Sequence, residues 1–240
     1  MTAILQRSLP TDMAERRKLP GIVPLDPAAW LRVDEAFAAQ MAERARLLSE
    51  RRDDVIAVTG GAGPAMDELL QFVLDWLTAH GDGYAIGAKE VRRPDGVTVA
   101  IDRADPMGTL GHLVQEDLCL MERRGEEHVL TAAVLCFPAS WRLAEKISRP
   151  LTAIHVPVPE YDEGIARRVQ RLFDGVQPGR PLWRFNALNY ADPALHQPRS
   201  RVQPGETADL PYLRSERQSV LRLPETRACV FSIHTWVIAR

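Results

Sequence analysis

The sequence has few cysteines, and their spacing excludes several kinds of metal and redox site. The 240 residues include three cysteines, Cys119, Cys136 and Cys229, and no two of them form a CxxC pair. A cysteine zinc site, a c-type haem attachment and a thioredoxin-like pair are therefore excluded. The odd number also argues against a disulfide framework. Any metal must be held by histidine or carboxylate, or arrive with an organic cofactor.

Long apolar runs and an excess of one charge are also missing. No apolar stretch approaches the roughly 18–20 residues of a membrane span. The N-terminal residues contain no apolar segment typical of a signal peptide, so we expect a cytoplasmic protein. The 30 Lys and Arg residues nearly balance 32 Asp and Glu residues. We therefore expect neither nucleic acid nor a membrane among the partners.

Common cofactor and nucleophile motifs are absent too. The sequence contains no GxGxxG, P-loop, GxSxG or HExxH pattern. Its glycine cluster, TGGAGPA at residues 59–65, is typical of a loop that leads into a helix. Candidate chemistry therefore rests on histidines and on carboxylates placed in apolar surroundings.

The hydrophobic periodicity predicts helices first and a strand-rich body after them. Residues 1–26 predict an extended N-terminal arm, and apolar positions recurring every three or four residues predict helices over about 27–51 and 64–79. A short helix and a third, longer one are expected at 140–147 and around 165–173. Strands are predicted at 97–100, 114–121, 129–137, 183–190, 213–223 and 228–238. The expected fold class is α+β, an antiparallel sheet with flanking helices and an N-terminal helical extension.

Two histidines stand out by their surroundings. His155 lies in the segment IHVPVP, where two prolines stiffen an apolar backbone. A neutral imidazole on such a segment suits an axial ligand of a buried metal centre, and it equally suits a hydrogen-bonded core histidine. His234 lies in the last predicted strand, on the same face as Ser232 and Trp236. It could line a pocket or hydrogen-bond to a neighbour.

Charged residues inside the predicted strands supply further candidates. Gln115, Glu116 and Asp117 stand in a row at the start of an apolar strand, so at least one must face inward and needs a partner. Glu216 and Arg217 point to opposite faces of their strand; a surface ion pair is the simpler interpretation of these two.

A third pair of polar residues lies in the strand before the long proline-rich loop. Arg184 and Asn186 are two residues apart and therefore share one face of that strand.

Five segments together resemble one known family. They are VQEDLCLM (114–121), LTAAVLCFPASWRLAEKISRPLTAIHVPVPEY (130–161), WRFN (183–186), DPALHQP (192–198) and SERQSVLRLPETRACVFSIHTW (215–236). This set is similar to the haem-dependent oxidative N-demethylase α-subunit family. The resemblance spans roughly residues 19 to 238.

The resemblance implies a PAS-like domain over residues 27–240 that binds haem b. It also implies an O₂-using oxidative N-demethylation of a small secondary amine such as dimethylamine, giving methylamine and formaldehyde. Electrons would come from NADPH through a separate reductase subunit that carries FMN and a 2Fe-2S cluster. A further partner would use tetrahydrofolate. The missing cysteine pairs and nucleotide motifs agree with those cofactors being on other chains.

The resemblance also implies roles for individual residues. His155 becomes the expected proximal haem ligand, with His196 and His234 as competitors, and Arg184 and Asn186 are expected near the cofactor. Carboxylates that could hold the ammonium substrate are Glu116, Asp117 and Glu216. Hydrogen-bond donors for the distal pocket are Arg217, Asn186, His234 and Tyr190.

Two other functions remain compatible with this sequence. A haem-PAS domain can serve as a non-enzymatic gas or redox sensor, because the fold alone does not determine activity. A member of the family that has lost haem could act as a scaffold. An absorption spectrum after haem reconstitution separates the scaffold from the other two, because only they give a Soret band.

Overall fold

A seven-stranded antiparallel sheet forms the centre of the fold. The computed structural model describes residues 3–14, 21–155, 163–198 and 210–240. Within these ranges the helices are α1 (Thr11–Ala14), α2 (Phe37–Glu50), α3 (Arg52–Val55), α4 (Gly63–His80), α5 (Pro106–Leu113), α6 (Leu151–His155) and α7 (Glu163–Gly175). The strands are β1 (Val23–Pro24), β2 (Ile56–Val58), β3 (Ala85–Ile86), β4 (Glu90–Arg92), β5 (Thr98–Ala100), β6 (Asp117–Arg124), β7 (Glu127–Val134), β8 (Leu182–Tyr190), β9 (Tyr212–Arg222) and β10 (Cys229–Ala239).

The strand order places the chain's last hairpin in the middle of the sheet. The order is β1-β8-β9-β10-β6-β7-β2, and all neighbouring strands are antiparallel. A small separate sheet has the order β3-β4-β5. Helices packed on an antiparallel sheet confirm the α+β class; the PAS-like topology stays a prediction.

The central strands are buried on both faces. On one face, Leu118 and Val230 pack against apolar side chains of α2, α4 and α5, and we call this the α4 face. On the other, Cys119, Val220 and Ile233 pack against apolar side chains of α6 and α7, and we call this the α6–α7 face. Because side chains alternate along each strand, one strand contributes to both faces.

The helix expected over residues 27–51 begins only at Phe37. Pro27–Ala29 form a 3₁₀ turn, and the residues that follow leave the helical path. Trp30 is buried and packs edge-on against Trp76 of α4, with 6.1 Å between ring centroids. The Asp34 carboxylate accepts a hydrogen bond from the N–H of Ala36 at 2.9 Å. These contacts override the local periodicity, whereas the second helix forms where the sequence predicts it.

The strand expected at residues 114–121 also starts later than its sequence pattern indicates. Helix α5 precedes it, with Asp105 as its N-cap and Pro106 in its first turn. Strand β6 begins at Asp117, so Glu116 lies in the connection before the strand. The other hairpins and α7 lie close to their predicted positions.

The segment around residues 140–155 differs from its prediction in two places. Only Leu143–Glu145 form a 3₁₀ turn where a helix is expected at 140–147. His155, which the sequence places in a loop, ends helix α6. Among the described helices, none has the length and apolar character needed to cross a membrane.

Candidate functional site

The side chains selected from the sequence form two groups on opposite faces of the sheet. Arg184, Asn186 and Glu216 lie on the α6–α7 face, where contacts join them into one hydrogen-bonded network. His234 and Glu116 meet on the α4 face. The two faces therefore carry two separate polar sites.

The first site is a polar strip made of Arg184 and Asn186 on β8 and Arg214, Glu216 and Gln218 on β9. The strand register pairs Arg184 with Gln218 and Asn186 with Glu216. Arg184 Nε donates to Gln218 Oε1 at 2.8 Å. Asn186 Nδ2 and Gln218 Nε2 each donate to Glu216 Oε2 at 3.1 Å. The Glu216 carboxylate is thus fixed by two amides.

Two buried polar atoms at the strip have no hydrogen-bond partner. Arg214 forms an ion pair with Glu216 at 3.5 Å and donates to the carbonyls of Leu195 and Phe137, yet its Nε is unpaired. Thr235 lies opposite Glu216 in the β9–β10 register, and its Oγ1 is unpaired as well. A buried donor without a partner costs about 1–3 kcal/mol. Such atoms are expected where a ligand supplies the missing partner.

Apolar side chains continue this face beyond the strip. Leu182, Val220 and Ile233 belong to the core cluster shared with α6 and α7. Burial lowers the pKa of Arg184, and the charge of Glu216 only partly opposes that effect. Tyr190 ends β8 beside the strip, with its ring centroid 5.8 Å from Arg214 Cζ. The α6–α7 face therefore combines an apolar surface with a fixed carboxylate and free donors.

The second site is the His234 cluster, which consists of Asp34, Glu116 and His234. His234 Nδ1 lies 2.9 Å from Glu116 Oε1, and its Nε2 lies 3.2 Å from Asp34 Oδ2. His234 and Glu116 are each only 1% exposed. Both ring nitrogens face carboxylates, so the arrangement favours the doubly protonated imidazolium, which donates from both.

The pKa values of this cluster shift in the directions that an ion pair requires. Burial alone would lower the pKa of His234, but the charges and hydrogen bonds of Glu116 and Asp34 outweigh it and raise the pKa. Burial would raise the pKa of Asp34, yet His234 and neighbouring amides lower it to about 2. The imidazolium and the Asp34 carboxylate therefore stabilise each other's charged form.

Glutamine side chains hold the carboxylates of the His234 cluster in place. Gln115 Nε2 donates to Asp34 Oδ1 at 3.0 Å, and Gln6 Nε2 donates to Asp34 Oδ2 at 2.9 Å. The N–H of Arg32 donates to Glu116 Oε1 at 2.9 Å. Sequence reasoning missed Asp34 because its segment reads as part of a helix. Gln115 is a member of the inward-facing row that the sequence singled out, and all three members of that row are buried.

Asp117 is fully engaged by the protein itself. Its Oδ1 accepts from Arg44 NH1 at 2.6 Å and from the N–H of Cys136 at 2.7 Å. Its Oδ2 accepts from the N–H of Phe137 at 2.8 Å. Arg44 is completely buried, so this ion pair belongs to the core. These bonds account for Asp117 as a structural residue and leave a ligand no unpaired oxygen.

Arg217 is likewise used to connect elements. Its guanidinium donates to the carbonyls of Trp30 and Ala29 at 2.9 and 2.8 Å and lies over the Trp183 ring at 5.1 Å. Burial, together with the nearby charge of Arg32, lowers its pKa to about 10. It therefore holds the 3₁₀ turn against the α4 face, on the side of the sheet opposite to Glu216.

The three histidines considered as metal ligands differ in what their nitrogens contact. His234 has both nitrogens engaged by carboxylates. His196 Nδ1 lies 2.8 Å from the Cys136 carbonyl, and its Nε2 is buried without a partner. Burial lowers the pKa of His196, which favours the neutral ring with a free lone pair. His155 ends α6, and its side chain lies outside the described part of the structure.

The His196 ring has the geometry that metal-binding histidines use. Such histidines donate one N–H to a carbonyl or carboxylate and present the other nitrogen to the metal. His196 follows Leu195, whose carbonyl is bound by Arg214 of the polar strip. Within the described ranges, no three histidine, cysteine or carboxylate side chains converge to hold a bare metal ion.

One family of known proteins matches this sequence over most of its length. The family described as haem-dependent oxidative N-demethylase, alpha subunit-like, matches residues 21–239, nearly the whole chain. The match includes both strands of the polar strip and every histidine considered above. This chain belongs to the haem-dependent oxidative N-demethylase alpha-subunit-like family.

Proposed function

We propose that this chain binds haem b on the α6–α7 face and uses it for O₂-dependent oxidative N-demethylation of a small secondary amine such as dimethylamine. Family membership supports haem dependence and oxidative demethylation. The observation that supports this location is the polar strip, which contains a fixed carboxylate and two unpaired buried polar atoms beside an apolar surface. The methylamine and formaldehyde products follow from the proposed reaction.

The residues on this face fit haem in their chemical types. Leu182, Val220 and Ile233 belong to the apolar cluster shared with α6 and α7, and a porphyrin ring would be accommodated beside that cluster. Arg184 is a cation able to pair with a propionate group, because its side chain bonds here to a neutral glutamine. His155 ends the helix that covers this face. A second imidazole with a free nitrogen is present at His196, which lines a cavity with Glu43 and Arg46 of α2. When bound, haem supplies a redox-active iron at which O₂ reacts.

Glu216 is the carboxylate that we assign to the amine. At neutral pH a secondary amine is an ammonium ion, which donates two N–H bonds and seeks a carboxylate. Asn186 and Gln218 orient Glu216 Oε2, so the acceptor is pre-positioned and the substrate need not reorganise it. The unpaired Thr235 hydroxyl, on the neighbouring strand, can donate to an oxygen of the reacting partner.

Other subunits are expected to supply the electrons. The family description names an alpha subunit, which implies further subunits at the family level. We propose that one is an NADPH-dependent reductase with FMN and a 2Fe-2S cluster, and that another uses tetrahydrofolate to capture formaldehyde. The sequence of this chain contains no CxxC pair, and for that reason we assign the 2Fe-2S cluster to the reductase.

The axial ligand can be identified by substitution. We propose His155 as the proximal ligand, with His196 as the alternative that its free Nε2 supports. After haem reconstitution, His155→Ala should lose the Soret maximum of histidine-ligated haem, and added imidazole should restore it. His80→Ala is the control, because His80 is exposed at the end of α4. If only His196→Ala loses the maximum, the ligand is His196. If the spectrum is unchanged in both variants, neither histidine is the ligand.

Substitution of Glu216 tests the amine site. Glu216→Gln keeps the shape and removes the charge, so kcat/KM for dimethylamine should fall at least tenfold, about 1.4 kcal/mol of transition-state stabilisation. The Soret band of the haem-bound variant should stay near that of the wild type. Steady-state formaldehyde release with a reductant checks the first expectation. Unchanged kcat/KM in Glu216→Gln would remove this carboxylate from amine binding.

A further inference from the structure

We propose that the chain has a second ligand site, on the α4 face, which binds a small alkylammonium cation. The site is a cavity of about 170 Å³ between the C-terminal end of α4 and the loop that contains Arg32. Its lining includes Glu116, the aromatic residues Trp76 and Tyr84, and Asp82. It lies on the opposite side of the sheet from the polar strip, and it does not depend on the function proposed for that strip.

Glu116 contributes an oxygen that the protein leaves unused. Oε1 is engaged by His234 Nδ1 at 2.9 Å and by the N–H of Arg32 at 2.9 Å. Oε2 is buried and has no hydrogen-bond partner. Glu116 as a whole is 1% exposed. An unpaired carboxylate oxygen at that depth is costly, and a cation in the adjoining cavity would supply the missing partner.

The aromatic walls suit an organic cation. Trp76 Nε1 donates to the Pro27 carbonyl at 2.8 Å, and the Tyr84 hydroxyl donates to the Leu113 carbonyl at 2.9 Å. The polar ends of both side chains are therefore occupied. The Trp76 ring also packs against Trp30 and His80, and the Tyr84 ring packs edge-on against Phe37. The parts of both rings that line the cavity are left for contact with a ligand. Cations within about 6 Å of an aromatic face gain roughly 0.5–2 kcal/mol, and alkylammonium groups are frequent ligands of such walls.

Burial and the charge of Glu116 raise the pKa of Tyr84. The charge of Glu116 therefore acts at the cavity wall, and the phenol stays neutral. Arg32 also lines the cavity, but its guanidinium is paired with Asp12 at 2.6 Å. Asp82, an exposed residue, adds a second carboxylate to the lining. Glu116 and Asp34 share the single positive charge of His234, so the excess charge around the cavity is negative, which matches a cationic ligand.

A metal ion is a poorer fit than an organic cation. Calcium takes six to eight oxygen ligands, and magnesium demands near-octahedral oxygen coordination. Glu116 and Asp82 are the carboxylates of this lining, and Leu77 and Val114 make part of it apolar. A ligand with one positive centre and apolar substituents satisfies both kinds of surface. Val33 and His80 on the lining are exposed, so the cavity opens towards solvent.

Titration with tetramethylammonium chloride tests this site without requiring activity. Binding to the full chain is measured by calorimetry, both with and without haem, and neopentyl alcohol serves as the neutral probe of similar shape. We expect tetramethylammonium to bind in both forms, with the neutral alcohol at least tenfold weaker. Glu116→Gln should weaken the cation at least tenfold. Absence of cation binding, or equal affinity for the alcohol, would overturn the proposal.

Two further variants separate this site from the polar strip and from a folding defect. Glu216→Gln removes a carboxylate of the strip and should leave tetramethylammonium binding within twofold of the wild type. Trp76→Leu removes an aromatic wall while leaving the His234 cluster intact, and should weaken binding about fivefold, which corresponds to roughly 1 kcal/mol of cation–π attraction. Weakening by Glu216→Gln with unchanged binding in both cavity variants would place the cation in the strip and refute the cavity site.

Discussion

Asp117→Ala should lower the free energy of unfolding by about 3–5 kcal/mol, because it leaves a buried guanidinium without its counter-ion. Arg44 is 0% exposed, and Asp117 Oδ1 lies 2.6 Å from its NH1. The substitution would also leave the N–H groups of Cys136 and Phe137 without their acceptor. Urea unfolding followed by tryptophan fluorescence measures the loss. The expected change is among the largest that a single substitution produces.

A double-mutant cycle separates the contribution of the Arg44–Asp117 ion pair to the free energy of unfolding from the contribution of packing. Arg44→Met should also destabilise, since it leaves the Asp117 charge buried with only two backbone donors. The double variant with Asp117→Ala should lose less than the sum of the single losses, because neither charge then remains unpaired. Glu50→Ala breaks an exposed ion pair with Arg46 and should change stability little. A loss below about 1 kcal/mol in Asp117→Ala would contradict this role.

The spacing of apolar residues predicts the strands and helices whose structure follows from a period of two or 3.6 residues. The closing hairpin follows this rule: β9 and β10 pair over their whole length, from Tyr212 with Ala239 to Arg222 with Cys229. Alternation therefore predicts that His234 and Trp236 share a face, and their rings lie 4.1 Å apart. It also predicts opposite faces for Glu216 and Arg217, which their contacts confirm.

Alternation predicts neither the register between two strands nor the contacts between residues distant in the sequence. Alternation indicates that Arg184 and Asn186 share a face, but not that Gln218 and Glu216 lie opposite them, because a shift of one residue would exchange the faces. The pairing of Asp34 with His234 joins residues 200 positions apart. Local periodicity around Asp34 indicates a helix, and the buried contacts of Trp30 and the bond to His234 prevent it. A short-range pattern contains no information on such contacts.

The unpaired Nε2 of His196 also results from a contact between residues that are distant in the sequence. The ring lies in a proline-rich loop segment that carries no periodic signal, and its Nδ1 meets the Cys136 carbonyl, 60 positions earlier in the chain. The sequence around His196 therefore predicts neither which ring nitrogen carries the proton nor that Nε2 has no partner. By contrast, the family resemblance rests on local motifs, and so it was available from the sequence and is confirmed by the match over residues 21–239.

His234→Gln should destabilise the protein in a pH-dependent way. It leaves the Glu116 and Asp34 carboxylates without their shared cation, which costs about 3 kcal/mol for a buried pair. The folded-state pKa of His234 is raised above its ordinary value of 6.5, so its stabilisation is complete below pH 6.5 and declines as pH rises through the folded pKa. The pKa of Asp34 is lowered from 3.8 to about 2, so its stabilisation is present above pH 3.8 and is lost as pH falls towards 2.

The difference in unfolding free energy between wild type and His234→Gln should therefore be largest between about pH 4 and 6.5 and smaller on either side. Urea unfolding at pH steps from 3 to 9 measures it. The nearby guanidinium of Arg217 keeps a pKa of about 10, above this range, so its charge leaves the profile unchanged. Gln115→Ala serves as a control, since it removes hydrogen bonds to Asp34 but keeps the imidazolium and should give a loss that varies little above pH 4. A His234→Gln difference that stays constant from pH 4 to 9 would mean that the ring is neutral in the folded protein, and the cluster would then be a hydrogen-bonded array and not an ion pair.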